Sequence, residues 1–429
     1  MKGGGRMSPS LIALIIIGGL FVLYITDIFP VEATTTVGML AMIFTGVLSF
    51  NDAFACFGST PVMLTIGMVI IVNTMLESGI GKRIGYFLAH LSNKREKLVV
   101  VVVFLVAAVM SVFANNTAVV AMFMPFLTSA AFTSKGKVTR KNTYLPLAIG
   151  SLIGGTGSLA GSTAPLLANE VLEYTGSEKM KFFSTAPVAF CIVAVIALCY
   201  WLFLYDVQHK CFDFEEVEDP FAHEAHEVPI HKRNAIISGS VFLICIILFI
   251  IQPFGWDLGL IAISCATVLV LTGCTTVKRS MHRTPWPAIV TLGSALAIAK
   301  GFVASGAGDE VVDWMVRVLG DWLLNPIVLV TVFLIAGFVL SLFMANGSLV
   351  SMLCAIAVPL AIEIGISPMP VAMACVFGVS LAMATPVATT TITMVQTVGY
   401  RFKDYFRIGG LVGLIGLVTA WGAIVLIYL

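Results

Sequence analysis

Apolar residues run almost unbroken through ten stretches of the chain, at residues 11–30, 36–50, 63–76, 144–174, 186–205, 235–252, 258–273, 288–303, 369–399 and 409–429. Each has the character of a helix that crosses or enters a bilayer. Two further apolar segments are longer, and each carries a polar interruption: SVFANNTAV at residues 111–119 and SLFMANGSL at residues 341–349. Both interruptions follow one pattern (Ser, apolar, Phe, two residues, Asn), which places Asn116 and Asn346 at the same point. Amides and hydroxyls lose water in lipid and must find other partners there, so these positions need a reason. A charged segment, residues 206–234, divides the chain near its middle. Each half therefore holds five spans and one interrupted segment, the latter between its third and fourth spans.

Charge decides whether an interrupted segment crosses twice or turns back. Before the first lie Lys82, Arg83, Lys94, Arg95 and Lys97; after it lie Lys135, Lys137, Arg140 and Lys141. Basic flanks on both sides predict a re-entrant hairpin open to the cytoplasm. The second has Asp309, Glu310, Asp313 and Asp321 before it and Glu363 after it, which predicts a hairpin open to the outside. Carried along the chain, this topology puts 18 of the 24 Lys and Arg inside. Five spans is an odd number, so the second half is inverted relative to the first, the layout of many secondary transporters. The predicted fold is an all-α polytopic membrane protein of two inverted repeats, each with five spans, one re-entrant hairpin and a broken helix. The first repeat covers residues 1–206, with its hairpin at about 98–133 and its broken helix at 144–174. A cytoplasmic linker covers 207–233. The second repeat covers 234–429, with its hairpin at about 326–365 and its broken helix at 369–399.

The repeat shows elsewhere too. ESGIGKRIGYFL at 77–88 echoes ASGAGDEVVDWM at 304–315. The fourth span of each half contains a polar break, GGTGSLAGSTAP at 154–165 and ATPVATTTI at 384–392. A glycine follows each break, Gly176 and Gly399, with paired aromatics six and seven residues later (Phe182 with Phe183, Tyr405 with Phe406). These pairs predict short interfacial helices.

Composition confirms the class. Of 429 residues, 59% are hydrophobic and 11% charged, and mean hydropathy is +1.02. No soluble domain of this size has that balance. A net charge of +1 argues against a nucleic-acid partner. The nine cysteines are scattered through apolar runs without a C-x-x-C and read as packing residues. Lys2 and Arg6 precede the first span as in a signal peptide, but no A-x-A site follows, so that span is expected to be retained in the plasma membrane.

Tips and breaks place hydroxyls, amides and unwound backbone at membrane depth, which is tolerated only where protein or a water-filled cavity satisfies them. Freed carbonyls with Ser and Asn oxygens make a hard-oxygen cage suited to Na⁺. The half-helix N-termini that follow offer N–H groups to an anion. The expectation is two cation sites flanking one site for a small anion.

With these features the chain resembles the divalent anion:sodium symporter family over nearly its whole length. The resemblance is carried by both hairpins, both breaks, and the stretches TPWPAIVTLGSALAIAKGFVASG at 284–306 and GYRFKDYFRIG at 399–409. Family tips read Ser-Asn-Thr; here they align as Asn115-Asn116-Thr117 and Ala345-Asn346-Gly347. The resemblance implies Na⁺ ligands at Ser111, Asn115, Asn116 and Gly161, and at Ser341, Met344 (through its carbonyl), Asn346 and Ala388. It implies an anion held by Asn115, Asn116, Thr117, Ser162, Thr163, Asn346, Gly347, Ser348, Thr389 and Thr390. Family breaks carry Thr-Pro-Pro, replaced here by Ser162-Thr163-Ala164 and Thr389-Thr390-Thr391, so the substrate-facing chemistry departs from the dicarboxylate pattern. The resemblance further implies Na⁺-coupled symport of a di- or tricarboxylate by a homodimer with an elevator motion.

Other readings are weaker. A proton-coupled antiporter needs a carboxylate or His deep in the membrane, yet Asp27, Asp52, Glu77, Glu170, Glu173 and Glu363 sit at span ends and all six His in loops. Arsenite efflux, sodium/proton exchange and sulfate transport remain the related alternatives. Lys300, inside a span, reads as a snorkelling cation or as a charge that attracts the anion. HEAHEVPIH at 223–231 is not H-E-x-x-H, and Pro229 opposes a continuous helix, so a solvated linker is expected rather than a metal site. No nucleophile and base are paired in sequence, which disfavours an enzyme. Two occluding hairpins suit alternating access better than a passive channel.

Overall fold

The computed structural model describes residues 8–26, 29–75, 77–78, 96–134, 137–216, 232–284, 286–307, 310, 325–342, 346–385 and 389–429. The described chain is helical, without a strand. The first half contains α1 (Pro9–Thr26), α2 (Val31–Phe44), α3 (Phe50–Ala55), α4 (Thr60–Met75), α5 (Glu96–Ser111), α6 (Asn116–Thr133), α7 (Arg140–Gly155), α8 (Thr163–Tyr174) and α9 (Ala186–Cys211). The second contains α10 (Lys232–Ile251), α11 (Leu258–Leu271), α12 (Val277–Arg283), α13 (Trp286–Ala304), α14 (Pro326–Ser341), α15 (Asn346–Glu363), α16 (Pro368–Ser380), α17 (Thr390–Val395) and α18 (Phe402–Tyr428).

Both interrupted segments are helix–tip–helix units (α5 with α6, α14 with α15), and both fourth spans are broken (α7 and α8, α16 and α17). The first break occupies residues 156–162, and the described part of the second is residues 381–385 and 389. Gly176 and Gly399 end the broken helices at φ 72° and 111°, a conformation glycine adopts without cost. The aromatic pairs beyond them form no interfacial helices. Phe182 and Phe183 lie in a turn, and Tyr405 begins a wide helical turn continuous with α18.

Helix partners fall into two groups. In one, α5 packs on α7, α14 on α16, α9 on α18, and α15 on α8. In the other, α4 packs on α11, α2 on α13, and α10 on α4 and α11. The groups meet where α13 and α4 lie against α8 and where α13 lies against α15. Glycines set the closest crossings. A Cβ on Gly150 would run into the carbonyl of Phe104, and one on Gly378 into that of Leu334, so α7 and α16 approach α5 and α14 in the same way.

The start of α7 is held by a tertiary graft. Pro146 has no N–H, so the carbonyl of Asn142 loses its helical donor. Gln208 Nε2, on the last turns of α9, donates to it at 2.8 Å. One residue earlier, the hydroxyl of Tyr400 is inserted into the helix ladder. It accepts from Leu145 N at 3.1 Å and donates to Lys141 O at 2.5 Å. Phe212 and Phe214 pack edge-on against the Tyr400 ring, and Glu216 binds Arg140 Nε and Lys141 N, each at 3.0 Å. The residues after α9 are therefore fastened to α7 as far as Glu216.

Candidate functional site

In the first tip, α5 ends at Ser111 and α6 begins at Asn116. Asn115 caps α6, its Oδ1 accepting from Thr117 N at 3.0 Å. Ser111 is fully buried, and its Oγ lies 2.6 Å from the Asn116 amide. Around that amide stand Ser111 Oγ at 2.6 Å and the carbonyls of Ser151 and Gly161, each at 3.1 Å. All three are oxygens. With only protein there, Asn116 Nδ2 is the atom that fits them, as a donor. With a cation among them, Oδ1 turns in and completes an oxygen cage. The donor set therefore fits a hard monovalent cation, and it requires glycine nearby, since a Cβ on Gly155 would collide with Asn116 Oδ1. Hydroxyls of α7 and of the break brace the cage. Ser151 Oγ donates to Ser111 Oγ at 3.1 Å and to Asn116 O at 2.9 Å, and Ser158 Oγ donates to the tip carbonyl of Val112.

The second tip repeats this. Ser341 is fully buried, its Oγ 2.6 Å from Asn346 Oδ1 and 3.0 Å from Val379 O. Thr385 Oγ1, from the second break, donates to the tip carbonyl of Leu342 at 2.9 Å, as Ser158 does for Val112. Met344 and Ala388 lie outside the described residues, as do the side chains of Ser348 and Thr390.

Each tip faces the break of the other half. Thr117 Oγ1 lies 3.4 Å from Thr391 Oγ1. A Cβ placed on Gly347 would sit 3.6 Å from Thr163 Oγ1. Asn115, Gly161, Ser162 and Thr163 line one small cavity of about 10 Å³ against Thr65, Met68 and Val69 of α4. The N-termini of α6, α8, α15 and α17 thus meet, and their dipoles favour negative charge between them. Ser162 and Thr389 serve first as caps, accepting from Ala164 N at 3.4 Å and Ile392 N at 3.3 Å; their hydroxyl protons remain available to an anion.

Sequence reasoning missed Ser151, and it gave Ser158, Thr385 and Thr391, which lie in the polar breaks it marked, no role of their own. A lone hydroxyl beside glycine in an apolar helix carries the same signal as ordinary small-residue packing. Lys300 Nζ pairs with Asp52 Oδ1 at 2.9 Å, with both side chains partly exposed, which compensates its charge and is compatible with a snorkelling lysine. Residues 223–231 lie outside the described residues. Among those described, no group of three His, Cys, Asp or Glu is placed to hold a metal.

Comparisons with known proteins bear on the family. A family profile described as citrate transporter matches residues 21–337, about three quarters of the chain. The chain is 22% identical over 405 residues to an uncharacterised transporter of Methanocaldococcus jannaschii, covering 93% of this chain and 89% of that one. It is 21% identical over 429 residues to the sodium-dependent dicarboxylate transporter SdcS of Staphylococcus saprophyticus, covering 92% and 82% respectively. Its fold is similar to the crystal structure of the Alcanivorax borkumensis YdaH transporter, with a TM-score of 0.65, 14% identity and coverage of 97% and 98%. The chain therefore belongs to the citrate transporter family, within the divalent anion:sodium symporters that its sequence resembles, and is a multi-pass membrane transporter rather than an enzyme.

Proposed function

We propose that the protein is a Na⁺-coupled symporter of a small anion, most simply a di- or tricarboxylate. The observation that carries this reading is the paired tip. Two oxygen cages of one design flank a meeting point of helix N-termini, so cations and an anion are bound side by side. Two Na⁺ sites follow, one at Ser111, Asn116 and Gly161, the other at Ser341 and Asn346. A bound cation offsets the charge of the anion beside it, and that is the coupling.

The tips and broken helices pack on one another, while α2, α4, α10, α11 and α13 pack among themselves. This supports inverted repeats working by an elevator motion, with the first group moving as one body against the second in each protomer of a homodimer. SdcS relatives are named as sodium-dependent dicarboxylate transporters, which favours succinate and malate as the first substrates to test.

The experiment is uptake into proteoliposomes of succinate, malate, citrate, sulfate and glutamate, with and without an inward Na⁺ gradient. Saturable uptake of one anion that requires Na⁺ is expected, and it should persist when any pH gradient is collapsed. Equal uptake in choline and sodium buffers overturns the reading. For the inverted hairpins, a cysteine at Lys137 should label from the cytoplasm and one at Glu363 from outside; labelling from the same side overturns that part.

A further inference from the structure

Glu170 lies on the third turn of α8, inside the first broken helix, and is only 4% exposed. Tyr174 lies one turn along the same helix, its hydroxyl near the carboxyl. The Tyr174 hydroxyl in turn lies 3.8 Å from the Cys56 thiol, in the short turn after α3. The carboxyl thus sits on the boundary between the two groups of helices. The cations nearby are taken: Lys300 is paired with Asp52, and Lys179 with Glu173. Asp257 caps α11 through Gly259 N at 2.8 Å and accepts from Thr60. The charged and titratable surroundings are therefore Glu173, Tyr174 and Lys179 beside it in sequence, Asp52 and Cys56 from α3 and its turn, Asp257 at the head of α11, and Lys300 on α13. α4 and α16 bring no charge, and α15 brings only Glu363, at its last residue. No ion pair reaches Glu170 among the described residues.

Burying an unpaired carboxylate is costly, and ionisable groups inside membranes mark ion or proton pathways. We propose that Glu170 is a proton-binding site that gates the movement of α8 against the α3, α4 and α13 face. This rests on the elevator reading above. The proton-bound acid fits the closed boundary. Loss of the proton leaves a carboxylate that must reach water, and so drives α8 away from Cys56 and its neighbours. The proton is a gate on the cycle and Na⁺ remains the driving ion. Stability of the closed arrangement is present at low pH and is lost as pH rises through the group's titration.

Two readouts test this. The first is Na⁺-driven uptake with equal pH on both sides, comparing wild type with Glu170→Gln, which mimics the neutral acid. Between about pH 6 and pH 8.5 the wild-type rate should change about tenfold, while Glu170→Gln holds the wild-type acid-side rate within about twofold, because its amide cannot ionise. The second needs no transport: the rate of N-ethylmaleimide modification at Cys56, read by mass spectrometry on purified protein. The ratio of wild type to Glu170→Gln removes the pH dependence that both thiols share; the carboxylate's own field opposes thiolate formation, so a rise of about fivefold over that range reads exposure. Identical pH profiles in both proteins overturn the proposal. So does a Glu170→Gln protein that still gains thermal stability from Na⁺ and yet transports at no pH. If the wild type shows no Na⁺-dependent uptake, the symport reading fails, and a flat Cys56 ratio is then what overturns the gate.

Discussion

The two hairpin tips agree at serine and asparagine and part at the next residue. Ser111 and Ser341 are both fully buried, and each places its hydroxyl 2.6 Å from the asparagine of its own tip. Each tip carbonyl accepts from a hydroxyl of its own break, Ser158 or Thr385. Beyond the asparagine, Thr117 meets Thr391 hydroxyl to hydroxyl, whereas Gly347 presents no side chain to Thr163. The halves thus share what would hold a cation and differ in what would touch the anion. A coupling ion is spherical and asks the same of both cages, while a carboxylate substrate has ends and substituents that need not be alike.

Six substitutions probe that division, and the largest effect is expected from geometry alone. Gly155→Ala drives a methyl into the Asn116 amide, and overpacking of this kind costs about 1–3 kcal/mol. Thermal stabilisation by Na⁺ should be lost, while Gly347→Ala, with open contact distances, keeps it. Next is Asn116→Asp, which keeps an oxygen for Na⁺ but removes the donor and adds a charge facing the anion. A hydrogen bond to a charged group is worth about 1.5–3 kcal/mol, so anion affinity should fall at least roughly tenfold. Because a carboxylate there would also face the carbonyls of Ser151 and Gly161, the variant's stability should depend more steeply on Na⁺ than that of wild type. Unchanged anion affinity in a ligand-dependent melting series would mean that the tip is helix-packing glue. Ser111→Ala and Ser341→Ala should each weaken Na⁺ by about fivefold, the worth of one neutral hydrogen bond of about 1 kcal/mol. Effects differing by more than about tenfold between them would break the equivalence of the cages. The smallest change belongs to Thr117→Ala, since Gly347 does without a hydroxyl at the matching place; uptake affinity should move by less than about threefold.

Much of this was legible in the chain. Period and length placed the helices on either side of each interruption to within a few residues, because apolar runs of that size have few alternatives. The shared serine and asparagine were visible as costly residues in costly places. Three things were not. The second break begins at Leu381, earlier than the polar signal at Ala384, because the unwound carbonyls of Leu381 and Met383 rest against Gly413 and Gly409 of α18. Leu, Ala and Met carry no hint of that, and tertiary packing overrides their helix preference. The exchange of partners between halves was also hidden, since Thr117 and Thr391 are 274 residues apart. Glu170 looked like a span-end carboxylate because sequence gives depth along a helix but not which neighbours close over it.

Tyr400 has a consequence for how the protein is made. The α7 ladder takes in a hydroxyl 255 residues further along the chain. For roughly 10–50 s, at about 5–20 residues per second of synthesis, Leu145 N and Lys141 O have only each other as helical partners, and Tyr400 is inserted between them afterwards. An interior proline already weakens the helix there by about 3 kcal/mol. The hydroxyl is therefore a late wedge in a turn that can already close on itself, and it ties the start of α7 to the residues just before α18.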